Sequence, residues 1–307
     1  MNVFFYIIIN IMLPIFLLAG VGFIVQRKFR LDTRTFSKLS IYVFVPVLIF
    51  TKVYEAEITI GLLATVFIYI MAVQAVLLII GEGAARLLKY PRSKKKCFIN
   101  SLIFFNSGNY GLPLTELVYK GDPLAYMGQI FIILVQNVMT SSFGVFQASS
   151  GSSGYKKALR DVIKMPFLYV IAAVVLVRAL NIQLPQPVMV PLGYISDAFI
   201  AFALITLGVQ LAEIRVGFNL RDMSVASVLR LVVSPLIGYA IVSMLGIQGV
   251  LAQSLILGVA TPTAVNTAII AREFDNEPDY ASQNVFVSTV LSPITVSIII
   301  YLLNGTA

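Results

Sequence analysis

Histidine is absent from this chain, and cysteine occurs once, as Cys97. Without histidine there are no zinc sites of the Cys/His type, no imidazole bases and no Ser-His-Asp triads. A single thiol excludes an internal disulfide framework. Charge is nearly as scarce: 12% of the 307 residues are charged and 59% are hydrophobic, with a mean hydropathy of +0.92. Soluble domains carry about 25% charged residues, so this composition defines an all-α polytopic membrane protein. The apolar segments hold neither a nucleophile–base pair nor paired metal-binding acids, so no cofactor, metal site or enzymatic activity is expected. The net charge of +8 does not signal nucleic acid, because basic residues of a membrane protein chiefly report orientation. Residues 1–25 have neither a basic start nor a small-residue cleavage site and read as a first span, not a removable signal.

Apolar runs of about 17–25 residues are the unit of a spanning helix. They fall near residues 3–25, 38–53, 58–85, 97–119, 123–147, 166–180, 190–212, 224–245, 250–271 and 280–303, which predicts ten transmembrane helices in the lipid bilayer. The third run is overlong and is expected to tilt or extend into water. Of the 22 basic residues, only Lys52, Lys120 and Arg178 lie on one side of this arrangement. The others cluster in the odd-to-even loops, which are therefore cytoplasmic, with both termini outside a plasma (bacterial inner) membrane. Five spans per half is an odd number, so two related halves must be inverted. Asp122-Pro123 opens span 5 and Glu277-Pro278 precedes span 10, with Gln129 and Gln283 following. Pro14 and Pro166 mark spans 1 and 6, while Leu39 and Tyr42 echo Leu192 and Tyr194. The reading is a first five-helix repeat at 1–148, a flexible cytoplasmic linker at 149–164, and a second, inverted repeat at 165–307.

The fourth span contains Asn106-Ser107-Gly108-Asn109-Tyr110-Gly111-Leu112-Pro113. Relative to Ala, Gly costs a helix about 1 kcal/mol and Pro about 3 kcal/mol. In lipid, freed backbone groups are tolerated only where protein or a polar cavity satisfies them. Two half-helices meeting near the midplane are expected. The ninth span has a matching interruption at Thr261-Pro262-Thr263, followed by Asn266 and Thr267. Paired interruptions of this kind point to a transporter's binding site. The second half of each broken span should begin at its proline, Pro113 or Pro262, because proline suits a first turn. Two positive half-helix ends, each near +0.5 charge, would converge on one cavity. With Asn106, Ser107, Asn109, Tyr110, Thr261, Thr263, Asn266 and Thr267 they make a donor-rich site without a fixed cation, suited to a carboxylate. The competing reading is that these polar groups merely satisfy broken backbone.

Flanking spans offer polar stripes. Gln129, Gln136 and Thr140 share one face of span 5, with Asn137 beside them, and Asn284, Ser288 and Ser292 share one face of span 10. Helix-to-helix glue is an equal reading of both. Glu116 lies only about 4.5 Å along the helix from Pro113. It is placed to exchange protons or hold a coupling cation, or else to snorkel outward near Lys120. Gln74 in span 3, Gln136, Ser288 and Ser292 are further candidates for ion or proton coupling. Asp197 is expected to cap a helix start or line an interface. Arg230 is expected to snorkel at the cytoplasmic end of span 8, with Glu82 as a possible partner.

The string from Asn106 to Leu114, together with Ala260-Thr261-Pro262-Thr263-Ala264-Val265-Asn266 and Ser288-Thr289-Val290-Leu291-Ser292, resembles the auxin efflux carrier family of transporters. The resemblance extends to Val43-Phe44-Val45-Pro46 and Leu207-Gly208-Val209-Gln210-Leu211-Ala212, so it spans nearly the whole chain. It is that of a short bacterial member, without the large central hydrophilic loop of plant members. It implies inverted five-helix repeats whose two proline-broken helices cross at the midplane. It also implies a scaffold of spans 1, 2, 6 and 7, often dimeric, and a transport domain of spans 3–5 and 8–10 that moves against it like an elevator. Asn109 and Pro113 match the family's first crossover, and Pro262 and Asn266 its second. Asp197 would belong to the scaffold. An acid that some members place in span 3 has no equivalent, since Gln74 stands deep there, which weighs against proton coupling.

The expected function is secondary transport of a small organic anion, a carboxylate such as malate, malonate or an auxin-like acid, by a homodimer working through alternating access. The alternatives are a sodium-coupled organic anion symporter resembling the bile acid carriers, and a non-transporting sensor or channel.

Overall fold

The computed structural model describes residues 3–55, 60–149, 166–214 and 225–304, and the regular elements among them are all helical. The linker expected at 149–164 lies outside the described residues beyond Ser149. Helices α1 (Val3–Phe29) and α2 (Thr33–Tyr54) are followed by α3 (Ile60–Leu87). The interrupted pair α4 (Arg92–Ile103) and α5 (Leu112–Tyr119) precedes α6 (Pro123–Ala148). The chain continues with α7 (Pro166–Ala179), α8 (Gln186–Ala212) and α9 (Val225–Met244). A second interrupted pair, α10 (Gly249–Val259) and α11 (Val265–Glu273), precedes α12 (Pro278–Asn304). Among the described residues, seven helices are long and apolar enough to cross a membrane, so the protein is a multi-pass membrane protein. The remaining apolar segments are the two interrupted pairs and the short α7.

Proline explains most local departures from α geometry. A proline ring clashes with the carbonyl four residues back and supplies no N–H. In lipid the freed carbonyls need another donor. Here the helix widens by one residue just before four prolines. Wide π turns span Ile8–Met12 before Pro14, Ser40–Phe44 before Pro46, Ser107–Gly111 before Pro113 and Leu229–Val233 before Pro235. Each turn contains the residue four before its proline.

Polar caps anchor the helix ends outside the apolar zone. Asp32 accepts from the Thr35 hydroxyl at 2.7 Å and the Arg34 amide at 3.1 Å, and these bonds, the first the larger, hold its carboxyl below the usual range. Asp122 accepts from the amides of Leu124 at 2.9 Å and Ala125 at 3.0 Å, with Pro123 in the first helical turn. Asp122→Ala is expected to cost about 1 kcal/mol. The corresponding result is a slightly lower Tm of the purified protein with unchanged ligand binding.

Helix α8 packs along α1 and also against α2, while α7 packs on α2. Phe202 of α8 stacks on Phe44 at 4.2 Å and on Phe36 at 5.8 Å. The Arg178 guanidinium donates to the Val53 carbonyl at 3.2 Å, tying α7 to the end of α2. On the other flank α10 packs against α6 and α9, and α3 touches α4, α6 and α9. Of the two readings of Asp197, the helix cap does not hold: α8 begins at Gln186, and Asp197 stands exposed in its interior.

Candidate binding site at the crossing of two broken helices

The breaks satisfy each other. Phe105 and Thr263 form an antiparallel bridge, the amide of Asn106 donates to the Pro262 carbonyl at 2.8 Å, and the amide of Ala264 donates to the Phe104 carbonyl at 3.0 Å. Two unwound segments of chain thus complete one another's backbone bonds where lipid would offer none. This pairing corrects the expectation that the second half-helix starts at Pro262. Residues 262–264 are held out of helical geometry by the bridge, and α11 begins at Val265. In the first break Pro113 does sit in the opening turn of α5.

Several hydroxyls lock this frame. Thr263 donates from Oγ1 to the Ser101 carbonyl at 2.9 Å, and its amide donates to Ser288 Oγ at 3.1 Å. Thr261 donates to the Gly258 carbonyl and Thr267 to the Ala264 carbonyl, each at 2.7 Å. Ser292 pairs with the buried Tyr110 hydroxyl at 2.9 Å. The Tyr110 ring meets Phe16 edge-on and its hydroxyl reaches Met12, which fills the space between the crossing and α1. Gln129, fully buried on α6, donates to the Ser107 carbonyl at 2.8 Å and lies against Gly111 and Gly258. Thr261, Thr263, Thr267, Tyr110, Ser288 and Ser292 therefore hold backbone and neighbouring side chains at the crossing.

Beside this frame lies a cavity of about 100 Å³. From the first break it is lined by Phe105, Asn106, Ser107, Gly108 and Asn109, and from the second by Ala264, Val265 and Asn266. Helix α6 contributes Ile133, Gln136, Asn137 and Thr140. Ser37, Ser40, Ile41 and Val45 of α2 and Gln210 of α8 close the other side. A wider cavity of about 680 Å³ shares Ser37, Gln210 and Val265, and is rimmed by Arg34, Lys38, Arg272, Glu213 and Glu273. The two cavities thus adjoin, and the rim of the wider one carries three cations and two carboxylates.

Asn106 Nδ2 and Gln136 Oε1 are buried beside the cavity without hydrogen-bond partners. An unsatisfied buried donor or acceptor costs about 1–3 kcal/mol, which a bound molecule can recover. The first residues of α11, and those of the wide turn leading into α5, also face the cavity. Neither Ala264 nor Asn106 supplies a side-chain cap. The free N–H groups of a helix start and its partial positive charge are what an anion seeks. Among the described residues, no cluster of three or more His, Cys, Asp or Glu could hold a metal ion.

Gln210, Ser37 and Ser40 were not expected here. Asn109 Nδ2 donates to Gln210 Oε1 at 3.4 Å, and Gln210 Nε2 donates to Ser37 Oγ at 3.3 Å, linking the first break to α8 and α2. The available signal was an amide in the otherwise apolar stretch Leu207–Leu211. The serines resemble any polar helix start. Glu116 lies away from the cavity, with its carboxylate beside Gly121 and Tyr126 toward the end of α5. Gln74 is buried on α3 outside the cavity lining, with both amide atoms unpartnered.

The largest correction concerns Arg230. It does not snorkel, and Glu82 pairs instead with Lys95 at 2.7 Å. Arg230 is fully buried on α9 beneath the crossing. It donates to the Thr261 carbonyl at 3.1 Å, the Leu102 carbonyl at 2.7 Å and the Val259 carbonyl, with its guanidinium 4.8 Å from the Phe105 ring centroid. The crossing does contain a fixed cation.

A helical membrane protein whose two broken helices pair backbone to backbone beside a polar cavity belongs to the class that carries solutes across bilayers. The chain is a member of the membrane transport protein family, the auxin efflux carrier family, whose family model matches residues 7–300. It is 27% identical over 264 residues to an uncharacterized transporter of Methanothermobacter thermautotrophicus, covering 85% of this chain and 86% of that one. An uncharacterized transporter of Methanocaldococcus jannaschii is 24% identical over 198 residues, 63% of each chain. A Rhizobium meliloti protein named "Putative malonate transporter" is 26% identical over 167 residues, 52% of each chain.

Proposed function

We propose that this protein is a secondary transporter of a small organic anion, a carboxylate of the size of malonate or malate, which binds at the crossing of the broken helices. The observation that carries this reading is the cavity itself, where Asn106, Asn109 and Asn266 stand beside the start of α11 and the wide turn leading into α5. The name of the Rhizobium relative favours a dicarboxylate. In this proposal the chain spans the membrane ten times in two inverted repeats, α1–α6 and α7–α12, with both termini outside. Helices α1, α2, α7 and α8 serve as a scaffold, and the remaining helices move against it as an elevator. The position of the cavity supports that division, since Ser37, Ser40 and Gln210 face both breaks across it. Relative movement of these two walls would expose the cavity to one side of the membrane at a time.

The test is a thermal-shift screen of purified protein against mono- and dicarboxylates, with and without sodium. A ligand present at 100 times its Kd and bound only to the native state stabilises by about 2.7 kcal/mol. One carboxylate is expected to raise Tm. Asn109→Ala and Asn266→Ala should weaken its binding about tenfold or more, as loss of a hydrogen bond to a charged group predicts. Tm shifts that survive both substitutions, or no shift with any anion, refute the anion site.

A further inference from the structure

Arg230 is a full positive charge, buried in the apolar interior with no carboxylate in ion-pair contact among the described residues. An isolated buried charge is costly unless something opposite meets it. What meets it here is backbone. Leu102 lies in the last turn of α4, Val259 is the last residue of α10, and Thr261 follows in the break. The C-terminal carbonyls of a helix lack intrahelical donors and carry about −0.5 charge per helix. Two such ends sum to about one negative charge, which one guanidinium offsets. Its planar fork of donors suits three carbonyls arriving from two chain segments, and its face lies on Phe105.

Each broken span has two ends at the crossing, one of each sign. Without Arg230 the negative ends of α4 and α10 would largely cancel the positive starts of α5 and α11 for any ion nearby. With Arg230 in place the negative pair is offset, which leaves the start of α11 and the wide turn leading into α5 as the helix ends that line the cavity. Phe105 links the two, since its ring lies against the guanidinium and the residue lines the cavity.

We propose that Arg230 is the residue that sets the charge preference of the cavity: by neutralising the C-terminal ends of α4 and α10 it makes the crossing selective for anions, without touching the ligand. It is a positioning residue, and this inference rests on reading the cavity as a carboxylate site.

The test compares malonate with its uncharged analogue malonamide, titrated against wild type and Arg230→Gln by calorimetry on purified protein. The wild type is expected to prefer malonate. In Arg230→Gln the malonate Kd should rise at least about tenfold, since a unit charge acting across about 10 Å at an effective dielectric of about 20 is worth about tenfold per ligand charge and malonate carries two. The malonamide Kd should stay unchanged. A purely structural role would weaken both ligands alike, and that outcome overturns the inference while leaving the carboxylate site standing. A wild type with no preference for malonate over malonamide overturns both.

Should Arg230→Gln fail to fold, Arg230→Lys provides the second measurement. Buried in the same place, arginine keeps its proton to higher pH than lysine does. The malonate preference of the lysine variant should fall as pH rises through the range in which a buried lysine gives up its proton, while that of the wild type, whose arginine stays charged there, holds. Tyr69 of α3 is the titratable group that faces Arg230 among the described residues, and the wild type carries it too, so it is controlled for. A lysine variant that keeps the wild-type preference throughout overturns the inference.

Discussion

Gly208→Ala is expected to leave little folded protein. A Cβ at position 208 would lie 1.8 Å from the Ala19 carbonyl oxygen and 2.8 Å from the Phe23 amide nitrogen. The contact is reciprocated on the facing helix, where a Cβ at Gly22 would lie 2.0 Å from the Ile205 carbonyl oxygen. All of these neighbours are backbone, so no side chain can rotate out of the way. Small residues at such crossings let membrane helices approach until their main chains touch. A methyl group would force α1 and α8 apart along their length and lose the dispersion contacts that hold them. Overpacking a tight core usually costs about 1–3 kcal/mol, and a backbone-to-backbone clash belongs at or above the top of that range. The measurement is the monodisperse yield and Tm of Gly208→Ala and Gly22→Ala in detergent. Gly20→Ala is the control, because nothing lies within 4 Å of a Cβ there. If Gly208→Ala melts within a degree or two of Gly20→Ala, the close approach of α1 and α8 is wrong.

Ala264→Pro should uncouple the two breaks. Ala264 has φ −66° and ψ 134°, values that proline adopts without strain, and Thr263 before it sits in a β-bridge rather than a helix. The substitution therefore fits its own backbone and acts on one bond, the amide that donates to the Phe104 carbonyl at 3.0 Å. It removes that donor, puts a ring carbon toward the carbonyl and leaves a buried acceptor short of a partner. The expected loss is about 2–3 kcal/mol. Carboxylate-induced stabilisation should disappear, because segments 105–109 and 264–266 line the cavity jointly. Ala264→Ser keeps the N–H and should behave like the wild type. A proline variant with wild-type Tm and ligand response would show that the bridge is dispensable.

The membrane character of the chain was legible in the sequence because it depends on composition and run length alone. The two interruptions were legible because Gly and Pro change the energy of a helix locally, whatever surrounds it. The same local logic marks the opening of α6 at Asp122-Pro123. The start of α11 was misplaced by three residues because Pro262 and Ala264 bond to Asn106 and Phe104 rather than within their own helix. No local rule predicts such a partner. Within the candidate site, Asn106, Ser107, Asn109 and Asn266 could be named because they lie in or just beyond the breaks. Gln136, Asn137 and Thr140 could be named because they form a polar stripe on one helix, whereas Ser37, Ser40 and Gln210 stand singly on helices whose packing brings them to the cavity.

Arg230 marks the boundary between the two kinds of information. By itself the sequence determined that this is a helical membrane protein, where its helices break, and that a cation stands in the eighth span. For that cation it favoured water over burial, since the cheapest place for an isolated arginine is the membrane edge. Only the tertiary structure decided otherwise, by bringing the carbonyl ends of α4 and α10 to the same point on α9. Charges, dipoles and hydrogen-bond deficits are properties of residues, and so can be read in order along the chain. Which of them cancel depends on distances between segments far apart in sequence, and those exist only once the helices have packed.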